Sequence, residues 1–228
     1  MAANRILDEF KAFTSFAHSG FKYNLQVFPD TITASTMLFA LLFQSPPFAA
    51  LSGSFVFLNI IHPYIARFFT SFVGGTIQRN DSCEGRFPGV SLSRMIQLSG
   101  SKKFGSLDDS GWPSYYSMFL GFLTAYAGSM PLLYRQELNA SPKRNVATIV
   151  GMVVLSLVVF TGILFRMLGG CDSFLSTIVG LLVGGIIGIL VILFLSWISD
   201  RRLTNILALP LLRNKAVDGK PIYVCEKN

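Results

Sequence analysis

The sequence predicts an all-α fold, a polytopic bundle of about five membrane-spanning helices, and three observations carry that expectation. Of 228 residues, 51% are apolar and only 14% are charged, with a mean hydropathy of +0.53, whereas a soluble domain carries roughly 25% charged residues. Charge is absent from whole stretches of chain: none falls between Asp30 and Arg67. The 19 Lys and Arg lie between or beside the apolar runs, where basic side chains meet lipid headgroups and set orientation.

The same composition excludes other classes. Twenty-one Phe and 13% aromatic residues are far too many for a disordered chain, and the Gly and Pro follow no fibrous period. The length suits one domain. The net charge of +7 is dispersed, so no contiguous basic face exists for a nucleic acid. Cys83, Cys171 and Cys225 form no CxxC pair, and neither a zinc site nor a disulfide framework is expected. The opening MAANRILDEF carries Asp8 and Glu9 and no early apolar core, so a cleaved signal peptide is not expected.

Taken in order, residues 1–30 place Ile6, Leu7, Phe10, Phe13 and Phe16 at spacings of three and four among charged residues, the pattern of an amphipathic helix. Its apolar face lies in the membrane interface or packs on the protein's own helices. The uncharged stretch that follows is too long for one span of roughly 20 residues and contains Pro46, Pro47 and Gly53. It divides into a span over about 31–51, re-entrant if QSPP turns it back, and another over about 54–77. The latter holds Asn59, His62 and Arg67, which must face protein or water. A polar loop occupies 78–112. Further spans are expected over 114–133, 146–168 and 173–198, giving five in all, or four if the first is re-entrant. The bundle thus covers 31–199, and a basic tail, with a hairpin expected around Asp218-Gly219, covers 200–228.

Charge leaves orientation open for five spans, because the Lys and Arg divide equally between the two sides; for four, twice as many share the side of both termini, which predicts cytoplasmic termini. Small residues recur every fourth position at Ser117, Gly121, Ala125 and Ser129, and again at Ser176, Gly180, Gly184 and Gly188. Each set occupies one helix face and lets backbones approach closely, within the bundle or between two copies.

No phosphate loop, GxSxG or HExxH is present, and only His18 and His62 supply imidazole. What stands out is a set of basic residues at span ends: Arg79, Arg86 and Arg166. Arg79 is followed after NDSCEG by Arg86, then Phe87 and Pro88; WPSYYSMF opens the next span; FRMLGGCDSFLSTIVGLLVG opens the last. In spacing and order this resembles the type 2 phosphatidic acid phosphatase superfamily of integral membrane lipid phosphatases, over residues 79 to about 195. The resemblance implies that Arg79, Arg86, Ser114 and Arg166 line a phosphate site. It equally implies that Tyr116, Asp172 and Ser176 stand where the family has its acid histidine, its nucleophilic histidine and the aspartate that orients it. All three catalytic positions are then lost. A nucleophile needs a base in hydrogen-bond reach, and a phenol with a pKa near 10 is a poor acid at neutral pH.

The function expected on this basis is a catalytically inactive membrane component, structural or headgroup-binding through bidentate arginines. It takes membrane lipids as partners and contacts structural proteins through the 78–112 loop and the 200–228 tail. No cofactor, metal or nucleic acid is expected. Divergent proteins of this kind look like membrane components of large DNA virus particles, which places the chain in an endomembrane or an internal virion membrane. Two other functions stay open: a lipid phosphate phosphatase using Asp172 or water as nucleophile, and a small transporter using Asn59, His62 and Arg67. For each residue the plain alternative is structural: the arginines as headgroup anchors, Tyr116 in the interfacial aromatic belt, and Asp172 capping the last helix or pairing with Arg166.

Overall fold

The computed structural model describes residues 20, 24–25, 27–73, 112–139, 142–199 and 201–206. The amphipathic segment over 1–19, the polar loop with Arg79 and Arg86, and the tail hairpin lie outside the described residues. Within them every regular element is a helix: α1 Phe28–Leu42, α2 Pro46–Val73, α3 Tyr115–Leu133, α4 Arg135–Asn139, α5 Pro142–Leu168 and α6 Phe174–Ser199.

Helix α1 starts with a proline in its first turn and Asp30 beside it, both suited to a helix N-terminus. On its buried side Thr33 donates to the Pro29 carbonyl at 2.8 Å and Thr36 to that of Thr33 at 2.9 Å, so neither hydroxyl is left unpaired. The chain reverses at Gln44, whose φ of 46° lies in the left-handed region, and Pro46 opens α2. This corrects the expected boundary. The proline pair does not interrupt a span; it begins one, because a proline at the first helical position gives up no intrahelical hydrogen bond. Gly53, placed by the sequence between two spans, sits inside α2.

Three helices are long and apolar enough to cross a membrane: Pro46–Phe69 of α2, α5 and α6. Only 17% of the apolar window of α5 is buried in the protein. Val146, Val150, Val153, Leu157 and Phe160 are all exposed on it, as are Leu182, Ile189, Leu193 and Trp197 on α6. So large an apolar surface is untenable in water and matches a hydrocarbon environment. Helix α3 differs: residues 116–122 are buried without exception, which makes it the central helix, wrapped by the others.

The contact between α3 and α6 is the most extensive in the fold. A Cβ added at Gly180 would stand 2.8 Å from the Ser117 Cβ, and one at Gly188 2.7 Å from the Phe122 carbonyl oxygen; at Gly184 and Gly121 it would overlap the backbone of Met118 and Leu181. The two helices therefore run parallel with their backbones in contact. Ala125 meets Gly185 further along the same seam. Lipid tails are as apolar as leucine, so dispersion across such a close seam, rather than exclusion of water, holds the pair. On the other side of α3, Phe55 of α2 packs against Phe119 at a tilt and against Phe122 edge-on, with ring centroids 4.9 and 5.6 Å apart. Phe28 of α1 meets Phe119 edge-on.

These contacts fix directions. Helix α2 runs antiparallel to α3, since Phe55 faces Phe119 and His62 reaches Pro113. Helix α5 is antiparallel to α3 as well, with Gly162 and Arg166 beside Tyr116. The end of α5 and the starts of α3 and α6 accordingly share one end of the bundle. At the opposite end Tyr134 donates to the Arg201 carbonyl oxygen at 2.6 Å and pairs with the Thr204 hydroxyl at 2.6 Å. There Arg201 donates to the Leu133 carbonyl and lies 4.0 Å from the buried carboxylate of Glu137.

Candidate functional site

The polar cluster at the first end is built from three helix termini. Arg166 lies in the last turn of α5, where a cation is favoured by the helix dipole. The chain then turns through Gly169 and Gly170, the latter at φ 66°, where a side chain would be strained. This reversal returns Asp172 beneath the arginine. Nε donates to Oδ2 at 2.9 Å and an Nη to Oδ1 at 3.1 Å, a bidentate pair. Both side chains are largely buried, 13% and 4% exposed. The guanidinium carbon stands 4.9 Å from the centroid of Tyr116, a cation–π contact.

Tyr116 extends from the first turn of α3 toward α5. Its hydroxyl fits against Gly162, where a Cβ would stand 2.8 Å away. That hydroxyl is buried and has no hydrogen-bond partner among the described residues. Ser114 caps α3: its hydroxyl accepts from the Ser117 amide at 3.3 Å and pairs closely with the Ser117 hydroxyl. The Ser114 amide in turn donates to the Ser176 hydroxyl at 3.2 Å. Ser173 caps α6 through the Ser176 amide, and Asp172 is thereby left to its arginine.

The structure thus brings together Ser114, Tyr116, Arg166, Asp172 and Ser176, which are scattered over 63 positions of chain. It gives them particular tasks: Ser114 serves the helix cap and Arg166 grips a carboxylate of its own chain. Arg79 and Arg86 lie outside the described residues. No group of three metal-ligating side chains occurs among the described residues.

Two features escaped sequence reasoning. His62 donates from Nε2 to the Pro113 carbonyl at 3.0 Å, with its ring edge-on to Tyr115, tying α2 to the start of α3. With Asn59 it is buried, whereas Arg67 is exposed, so these three do not line one polar face. Cys171 is disulfide-bonded, against the expectation of no disulfide framework. Its partner lies outside the described residues. Neither contact has a spacing signal, because each joins segments far apart in the chain.

Fold and cluster define a class: a helical protein with three helices long and apolar enough to cross a membrane, and with a largely buried ion pair at one end of its bundle. No family model matches the chain, and no curated protein or solved structure does either.

Proposed function

We propose that this chain is a non-catalytic, multi-pass membrane component in which a lipid-phosphatase-like core serves as scaffold. The observation that carries this is the bidentate Arg166–Asp172 pair. The side chain at the proposed nucleophile position already fills the arginine edge that a phosphate would use. A carboxylate so engaged is a weak nucleophile, and Tyr116 at the acid position is packed on Gly162. Neither group has an imidazole within the contacts described, since the nearby His62 is tied to a backbone carbonyl.

The count of crossings stays at five, or four if α1, at 15 residues shorter than a full span, is re-entrant. Orientation, which charge leaves open, is supported by Cys171. Disulfides form and persist in oxidising compartments, so the turn at 169–173 belongs on the non-cytosolic side. An internal membrane of a large DNA virus particle, and protein partners at the 78–112 loop and the 200–228 tail, rest on the sequence resemblance and composition alone.

A second function, binding of phosphate headgroups, is favoured by the residual exposure of Arg166, which lets an anion compete with Asp172. The test is phosphate release from phosphatidic acid or a prenyl pyrophosphate by the purified full chain in liposomes. No release above protein-free liposomes is expected. Release that disappears in Arg166→Ala would establish an enzyme instead. Co-purification of phosphatidic acid with the detergent-solubilised full chain, lost in the same variant without release, would establish headgroup binding.

A further inference from the structure

We propose that Cys83 is the residue bonded to Cys171, so that a disulfide ties the 78–112 loop to the turn between α5 and α6. The chain contains three cysteines, and the bond at Cys171 leaves Cys83 and Cys225 as its two candidates. Both lie outside the described residues, and the described helices set them at opposite ends of the bundle.

Cys83 belongs to the segment that joins α2 to α3, which leaves α2 after Val73 and returns at Trp112. Both points stand at the Cys171 end. Phe69 of α2 meets Trp112 with ring centroids 5.8 Å apart. Two residues on, the Ser114 amide donates to the Ser176 hydroxyl, five residues past Cys171. Cys83 follows Val73 by ten residues, a reach of at most roughly 33–36 Å, so its thiol can meet Cys171 without leaving that end. Cys225 sets out from the other end. Helix α6 carries the chain away from Cys171 for 26 residues, about 39 Å at ~1.5 Å per residue. Beyond it the chain is fastened there, because Tyr134 holds the Arg201 carbonyl and the Thr204 hydroxyl. A return to Cys171 would draw Arg213, Lys215, Asp218 and Lys220 past helices long and apolar enough to cross a membrane, where charged side chains are strongly disfavoured. The pairing therefore rests on the membrane-crossing reading proposed above and adds to it a covalent link. That link adjoins the ion pair: the amides of Cys171 and Asp172 both donate to the Arg166 carbonyl, at 2.9 and 3.4 Å. Arg79 and Arg86, four and three residues from Cys83, are thereby kept at the Arg166 end.

The experiment expresses the full chain in endoplasmic reticulum membranes, an oxidising compartment, and solubilises it with N-ethylmaleimide present to block free thiols. Digestion without reductant by trypsin and chymotrypsin, followed by mass spectrometry, identifies the linked peptides. The peptide over 80–86 is expected joined to the one carrying Cys171, with Cys225 maleimide-modified and the chain a monomer on a non-reducing gel. Cys83→Ser is expected to make Cys171 reactive toward maleimide, whereas Cys225→Ser leaves it blocked; should the first variant fail to fold, the wild-type map decides alone. Linkage of Cys171 to Cys225, linkage of Cys83 to Cys225, a disulfide between two chains, or a free Cys171 would each overturn the pairing. A second arm separates that failure from failure of the membrane-crossing reading. With an impermeant maleimide on sealed vesicles, Cys225 and reductant-treated Cys171 are expected to label from opposite faces. Labelling of both from one face overturns the membrane-crossing reading, and with it the ground for excluding Cys225.

Discussion

Arg166 and Asp172 form a contact whose value depends on both members being present. Removing one strands a largely buried charge and costs about 3–5 kcal/mol, whereas replacing both by apolar residues of similar volume is often neutral. Arg166→Leu and Asp172→Leu are each expected to lower stability by that amount, and the double variant to recover most of it, measured by reversible unfolding in mixed micelles. Tyr116 offers the converse case. Its buried hydroxyl lacks a partner among the described residues, so Tyr116→Phe is expected to be neutral or to stabilise by about 1 kcal/mol. At the other end, burial first of all raises the pKa of Tyr134. A raised folded-state value means that its contribution is complete below the unfolded pKa of about 10 and is lost as pH climbs through the folded value. The chain is therefore expected to weaken at strongly alkaline pH. Tyr134→Phe should flatten that alkaline limb and cost about 1–2 kcal/mol at neutral pH, because the Thr204 and Arg201 groups lose a partner.

Among the elements, the α3–α6 seam decides how the bundle closes. A methyl group at Gly184 or Gly121 meets backbone, which cannot rotate aside as a side chain can. Gly184→Ala is expected to cost about 1–3 kcal/mol, the usual range for overpacking. Gly151 of α5 has open space around its Cβ position, and Gly151→Ala is expected to be neutral or to stabilise by up to about 1 kcal/mol through helix propensity. The thermal unfolding midpoints of the two variants check this contrast. The stripes themselves were legible, because a four-residue spacing needs only helix geometry to define a face. Which stripe meets which was not, nor was the break between α1 and α2. Pro46 and Pro47 look like an interruption in one dimension and act as a helix start once Gln44 has turned the chain.

For the molecule as a whole, sidedness is the property most open to measurement. If Cys171 is bonded on the non-cytosolic side, a membrane-permeant maleimide should leave it unmodified in intact membranes and label it only after reduction, read as a gel shift in a variant retaining Cys171 and its partner. Labelling without reductant would remove the basis for that orientation.

The membrane character of this chain was determined by its sequence alone, because length, apolarity and the absence of charge are sums over a segment and need no neighbours. The small-residue faces were determined in the same way. Only the tertiary structure decided that α3 is the wrapped central helix, that His62 holds Pro113, and that Asp172 closes on Arg166. Those outcomes depend on which distant segments meet, and packing against a specific partner leaves no periodic trace along the chain.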